Sequence, residues 1–420
     1  MKWSWFGRAA LALTSAVSLG LGMTACGGGT IAYLWAVGSD AQGNGQVVGY
    51  KVDDFTGNLT GVPGQPFSSH DSNPVDIVVR PGGRFIYVIN QGTGVTGTSA
   101  GTNAGIDEFS VGGEGTLTFQ QHYDTTGRGH LWATFDSSGS FLFILDKYSP
   151  SYQPDATKAN FDANGSITTF SSDGTTGRLN LVQQTASTQP GQPSPTFLEV
   201  GQSPRRMASN GSCLFTINDV GQTVSTYSVS TGQLGTVTTG VYPVGSTSMT
   251  SISTSQTNSG QYVFITDNNG GTGSGRVYSY TVGSNCALTP FTPGAVTTLA
   301  GGALNPTNAF LSNSSKYVYV LGGINNSTAT TAQGSTISGY NINSGQLQSV
   351  TGSPFPTGAG PQCAVEDPTS KYLYVSNGID GTIRGYIYSD TNGELADLTR
   401  GSNFQTANRT LACIALSNSV

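Results

Sequence analysis

One short unit recurs seven times in this chain of 420 residues and leaves few folds open to it. The unit is clearest near the C-terminus. Pro361 to Val365 is followed by a turn at Asp367, then by Tyr372-Leu373-Tyr374-Val375-Ser376-Asn377. After a Gly loop comes Thr382 to Tyr388, then a turn at Asn392-Gly393-Glu394-Leu395. Each run alternates apolar and polar residues and is closed by Gly, Asn, Asp or Pro, the pattern of short strands joined by tight turns. The second run recurs around Trp35, Tyr87, Phe143, Phe215, Phe264, Tyr319 and Tyr374, at spacings of 52, 56, 72, 49, 55 and 55 residues. The third run ends on Tyr50, Phe109, Phe170, Tyr227, Tyr280, Tyr340 and Tyr386. The turn after it recurs as Thr56-Gly57-Asn58-Leu59, Gly115-Thr116-Leu117, Thr176-Gly177-Arg178-Leu179 and Thr231-Gly232-Gln233-Leu234, and degenerates at Ser284 to Leu288.

A four-stranded unit with this period is a blade, and seven of them predict an all-β, seven-bladed β-propeller over residues 31–420. A single blade leaves both faces bare, so each must be covered by its neighbours. The 59 glycines supply turns, and no stretch beyond the N-terminus has helical periodicity. The first copy starts at its second strand, Ile31 to Val37, and lacks an inner strand. The chain ends on an unassigned strand, Arg409 to Leu416. The expectation is that the last strand sits beside the first and closes the ring, with Ala412 near Leu34.

Charge narrows the function classes. There are 17 basic and 23 acidic residues, a net charge of −6 and no basic run, so no track for nucleic-acid phosphates exists. No Cys-x-x-Cys or His-rich spacing suggests zinc and no Asp-x-Asp-x-Asp loop suggests calcium, so no metal and no cofactor is expected.

Residues 1–25 read as an address. Lys2 and Arg8 precede a short apolar run, Ala9 to Met23, followed by Thr24-Ala25-Cys26. A basic start, a short apolar core and small residues before a cut form a secretory signal. The Cys after Thr-Ala resembles a bacterial lipobox, which implies lipidation of Cys26. Residues 26–30 are then a linker, and the expected location is the cell envelope, with the lipid anchor as the sole membrane contact. Cys213, Cys286, Cys363 and Cys413 remain, compatible with two disulfides and three connectivities. The repeat alignment favours Cys213 with Cys286 and Cys363 with Cys413, each pair in adjacent copies. Buried free thiols are the alternative.

Loops between second and third strands share a face with the links between blades. Here they are long: Gln91 to Ala104, Lys147 to Asn164, Asn268 to Ser274 and Gly323 to Gly334. Long loops on one face of a rigid ring mark the usual place for a site. His70 lies in a link on that face, and His122 in an outer strand. Asn90, Asp146, Asn218, Asp267 and Asn377 recur at second-strand ends, where Asx side chains satisfy local donors.

The unit resembles the seven-bladed lactonase family, which includes 6-phosphogluconolactonases and the carboxymuconate cycloisomerase. The match is best in the fourth copy, Ser203-Pro204-Arg205-Arg206-Met207, then Cys213 to Asp219, and in the third copy at Gly129-His130-Leu131-Trp132. By that resemblance His130, Arg205 and Asp219 are the catalytic positions. Arg205 and Arg206 are the substrate-binding ones. Arg206 stands where the family has His, and Asp219 where it has Glu. The family's further Arg has no counterpart at Ser248 to Ile252. An Arg can fix a carboxylate or phosphate through two hydrogen bonds, and a His or carboxylate can take a proton from water. The resemblance implies a metal-independent lactone hydrolase acting on a small anionic lactone; a monomer is the expected state. The competing reading is a non-catalytic envelope propeller that binds a polymer, peptide or protein partner.

Overall fold

The structure is a computed structural model that describes residues 29–152, 163–184, 195–241, 245–254, 262–269, 275–291, 296–299, 305–322, 335–343 and 346–418. Seven antiparallel sheets form the propeller, and among the described residues there is no α-helix. The signal, Cys26 and most of the three later long loops lie outside the described residues. The loop from Gln91 to Ala104 is described, and carries a bridge between Thr93 and Thr102.

Inner strands are Pro74–Val79, Arg128–Phe135, Pro204–Ser209, Met249–Thr254, Pro306–Leu311 and Pro361–Glu366 for blades two to seven. Blade one takes its inner strand from the C-terminus. Thr410–Asn418 pairs antiparallel with Thr30–Ser39, placing Leu34 opposite Leu416 and Val37 opposite Cys413. Trp35 Nε1 adds a bond to Ser417 Oγ at 3.1 Å across this seam. Closure is as the repeat count predicts, but the register differs: Leu416, not Ala412, lies opposite Leu34, and Ala412 falls at the register shift beside Val37 and Gly38.

Stacking of the sheets explains the composition of the second strands. Phe85–Asn90, Cys213–Asn218, Tyr317–Gly322 and Tyr372–Asn377 are buried at every position, because both faces meet a neighbouring blade. The apolar clusters fall between blades: Tyr87 and Ile89 of blade two pack with Phe135 and Phe170 of blade three. Fully burying such side chains stabilises by about 1.5–3 kcal/mol each. The third-strand aromatics from Tyr50 to Tyr386 are all buried. The two disulfides join Cys213 to Cys286 and Cys363 to Cys413.

One regular departure from ladder geometry positions the site. Each inner strand has a register shift after its first residues, skipping Val75, Leu131, Arg205, Thr250, Thr307, Gln362 or Ala412. A bulge bends its strand and re-aims a side chain. Five of these residues, Val75, Leu131, Arg205, Thr250 and Thr307, line one cavity.

Candidate functional site

The cavity opens on the face where the inner strands begin, which is the face of the links and long loops. It encloses about 410 Å³ and is walled by the five bulge residues together with Pro204, Arg206, Asn305 and Pro306. A second cavity of about 630 Å³ continues along the axis, lined by Asp76, Trp132, Met207, Phe310 and Glu366 among others. The residue after each bulge forms a tier below the mouth: Asp76, Trp132, Arg206, Ser251, Asn308, Cys363 and Cys413.

The expected residues separate into two groups. Arg205 is exposed, and its Nη2 donates to Asp219 Oδ2 at 2.7 Å. Asp219 follows the second strand of the same blade, so one sheet supplies both partners. His130 is 4% exposed and does not line the cavity. Its Nδ1 lies 2.6 Å from Asp146 Oδ1 and 3.3 Å from Thr125 Oγ1, and Asp146 Oδ2 accepts from Thr168 at 3.1 Å. The imidazole is thus held inside blade three, while its neighbour Leu131 reaches the mouth.

Arg206 lies deeper. Its guanidinium carbon stands 3.7 Å from the centroid of the Trp132 ring, a close cation–π contact. No carboxylate is within ion-pair distance of it among the described residues. Burial pulls its pKa down to about 10, partly offset by the charge of Asp76. Asp76 is 1% exposed, and burial pushes its carboxyl up to about 7. Its two oxygens accept the N–H groups of Ala133 and Ile77, each at 2.9 Å, and the first of these bonds crosses to blade three. Ser251 makes the same crossing to Ala309 N at 2.9 Å.

Trp132 and Asp76 were not singled out by sequence reasoning. The available signal was the alignment of Pro74-Val75-Asp76 with Pro204-Arg205-Arg206 and Pro306-Thr307-Asn308, which puts the third member of each on the tier. The Asx residues at second-strand ends do satisfy neighbours. Asp267 accepts from the N–H groups of Thr247, Ser248 and Asn269, and Asn218 donates to Thr223 and Ser225.

Comparison with known proteins agrees with the ring. The model of the seven-bladed β-propeller lactonase family matches residues 152–419. The chain therefore belongs to the lactonase family. No curated protein is similar enough in sequence to count as a relative. Among solved structures, the periplasmic gluconolactonase of Pseudomonas aeruginosa has a TM-score of 0.65 at 18% identity, covering 93% of this chain and 100% of its own. A Bacteroides uniformis protein described provisionally as a 6-phosphogluconolactonase has a TM-score of 0.66 at 15% identity, covering 92% and 99%. A Lactobacillus plantarum protein has a TM-score of 0.64 at 16% identity, covering 92% and 99%. At these identities the likeness is one of fold.

Proposed function

We propose that this lactonase-family propeller hydrolyses a small lactone bearing a carboxylate or phosphate, bound at the axial mouth. The observation that carries this reading is Arg206: a half-buried guanidinium, stacked on Trp132, lining a cavity and with no carboxylate within ion-pair distance among the described residues. Such a group gains most from an anion that can take two hydrogen bonds. Arg205 lies at the rim, with its charge paired to Asp219.

Water attacks the lactone carbonyl and loses a proton to Asp219, which Arg205 orients. The carbonyl oxygen gathers negative charge beside the guanidinium groups. The ring C–O bond then breaks and the departing oxygen takes back the proton held by Asp219, giving a hydroxy acid and restoring the Asp219 carboxylate. His130, clamped by Asp146, serves this scheme by fixing the strand that carries Leu131 and Trp132. No step in it needs a metal. Export and anchoring through Cys26 complete the proposal; the two disulfides fit an oxidising compartment.

The test is a hydrolysis screen over neutral, carboxylated and phosphorylated lactones with the purified chain. Turnover confined to the anionic members, and lowered about 100-fold or more by Asp219→Asn, is expected on the scale of a lost proton-handling group. Equal turnover of neutral lactones, or none of any, overturns it.

A further inference from the structure

We propose that Asp71, Asp107 and His122 form a divalent-metal site at the outer part of blade two, away from the axial cavity. The three come from separate stretches: Asp71 from the link entering the blade, Asp107 from Gly105–Val111 and His122 from Leu117–Tyr123. Asp107 and His122 face each other in register. One carboxylate oxygen from each Asp and a ring nitrogen of His122 all lie within 4.8 Å of one another. Nδ1 is 3.0 Å from Asp107 Oδ1 and 3.1 Å from Asp71 Oδ2. Gly105 leaves the space the ring occupies, since a Cβ there would sit 2.2 Å from His122 Cε1.

Hydrogen bonding alone does not satisfy this group. Nδ1 carries at most one proton, and its bond is to Asp107. Asp71 Oδ2 is buried and has no hydrogen-bond partner, although it lies beside the same nitrogen. A protonated ring would set a positive charge between the two carboxylates, but its second N–H is on Nε2, which faces Asp124 Oδ1 at 3.4 Å, so Asp71 Oδ2 still accepts no hydrogen bond. Asn90 supplies a separate observation. It is fully buried beside Asp107, its Nδ2 donating to Asp107 Oδ2 at 2.8 Å and to the Ser69 carbonyl at 3.4 Å, while its Oδ1 has no partner. A cation where the Nδ1 proton would lie meets the imidazole lone pair and both carboxylates at once.

The ligand set identifies the class. One imidazole and two carboxylates suit zinc, manganese or iron(II), with water completing the shell, whereas calcium takes six to eight oxygens. Nε2 against Asp124 is the outer carboxylate contact that commonly orients a metal-bound imidazole. Positions 71, 107 and 122 have no motif spacing, so only the fold gathers them. A metal here would fasten the link from blade one to both outer strands of blade two. The proposal is independent of the lactonase reading.

Zinc is the probe. The full chain is stripped with a chelator and titrated with zinc by calorimetry, and its melting temperature is followed with and without the ion. One equivalent per chain and a raised melting temperature are expected. Binding at least 10-fold weaker is expected in His122→Gln and in Asp71→Asn, with circular dichroism confirming that both fold. Zinc also should move the ring nitrogen resonances of His122 in the unsubstituted chain, which reads the site with no substitution at all. Absent saturable binding, binding unaltered in both variants, or unmoved His122 nitrogens overturns the proposal.

Discussion

Tyr374 Oη donates to the carbonyl of Gly57 at 2.6 Å, tying the second strand of blade seven to a turn in blade one. The link is one of a set. Tyr319 reaches Gly393 at 2.7 Å and Tyr33 reaches Gly113 at 2.7 Å; Tyr87 bonds Gly177. In each case the acceptor lies in the turn of the following blade. The turn glycine also lies under a ring: a Cβ on Gly57 would meet Tyr372 at 2.5 Å, and one on Gly393 would meet Tyr317 at 2.5 Å. Gly57 has φ of +68° and Gly393 of +75°, so an added side chain is strained in backbone as well as in space.

Tyr374→Phe is therefore expected to destabilise by about 0.5–1.5 kcal/mol, the usual net worth of one hydrogen bond. Gly57→Ala should cost more, about 1–3 kcal/mol, through strain at a left-handed position. Melting curves of the two variants check the order. A Gly57→Ala chain as stable as the parent would show that the turn gives way freely.

The ring seam makes its own prediction. Cys363 on the inner strand of blade seven is bonded to Cys413 on the closing strand, across a separation of 50 residues. The closing strand also pairs along its length with Thr30–Ser39. Replacing both cysteines with Ala should cost about 2–5 kcal/mol and leave the ring folded, as for loss of a disulfide that closes a long loop. Deleting residues 410–420 removes that bond and a whole ladder and exposes a sheet edge, so aggregation is expected. Differential scanning calorimetry with and without reductant separates the two effects.

What the sequence made legible, and what it did not, follows from the range of the interactions. Blade count, strand order and seam are written in local patterns that repeat, so the seven aromatics from Trp35 to Tyr374 sufficed. The pairing of Arg205 with Asp219 was within reach because both belong to one blade. Thr56-Gly57-Asn58-Leu59 could be read as a turn, yet its bond to Tyr374 could not, since that contact crosses 317 residues. His130 illustrates a second limit. Its place at an inner-strand start was right, but the bulge at Leu131 decides which neighbour reaches the axis, and a bulge leaves no mark in hydrophobic alternation. Asp76 and Trp132 were hidden for the same reason.

Asp76 predicts a pH dependence of stability. Its carboxyl is raised to about 7 by burial, against an ordinary value of about 3.9 in the unfolded chain. The folded state then binds the proton more tightly than the unfolded state. Its stabilising contribution is complete below about pH 4 and is lost as pH rises toward 7, and above that it is constant. Each tenfold difference in proton affinity corresponds to about 1.4 kcal/mol. Asp76→Asn cannot titrate and also disturbs one of the two accepted N–H bonds. It should therefore melt well below the parent at pH 4, with the gap narrowing by pH 7.5. A gap that stays constant over this range would mean that Asp76 is ionised throughout.

Arg206 offers the sharpest test of the axial site. Stacking on Trp132 and two-pronged binding of an anion both depend on a planar guanidinium. Arg206→Lys keeps the charge and loses both, so it should behave almost like Arg206→Gln. If the group holds the substrate's acid function equally in ground and transition states, KM rises and kcat stays near the parent value. If it also meets the developing oxyanion, kcat falls about 100-fold or more. Trp132→Phe keeps an aromatic face with a weaker pull on the cation and should give an intermediate loss, since the contact is worth about 0.5–2 kcal/mol. Steady-state kinetics on an anionic lactone, with equilibrium binding of the product hydroxy acid, distinguishes these outcomes. Full activity in Arg206→Lys would place substrate recognition on Arg205 and remove Arg206 from the site.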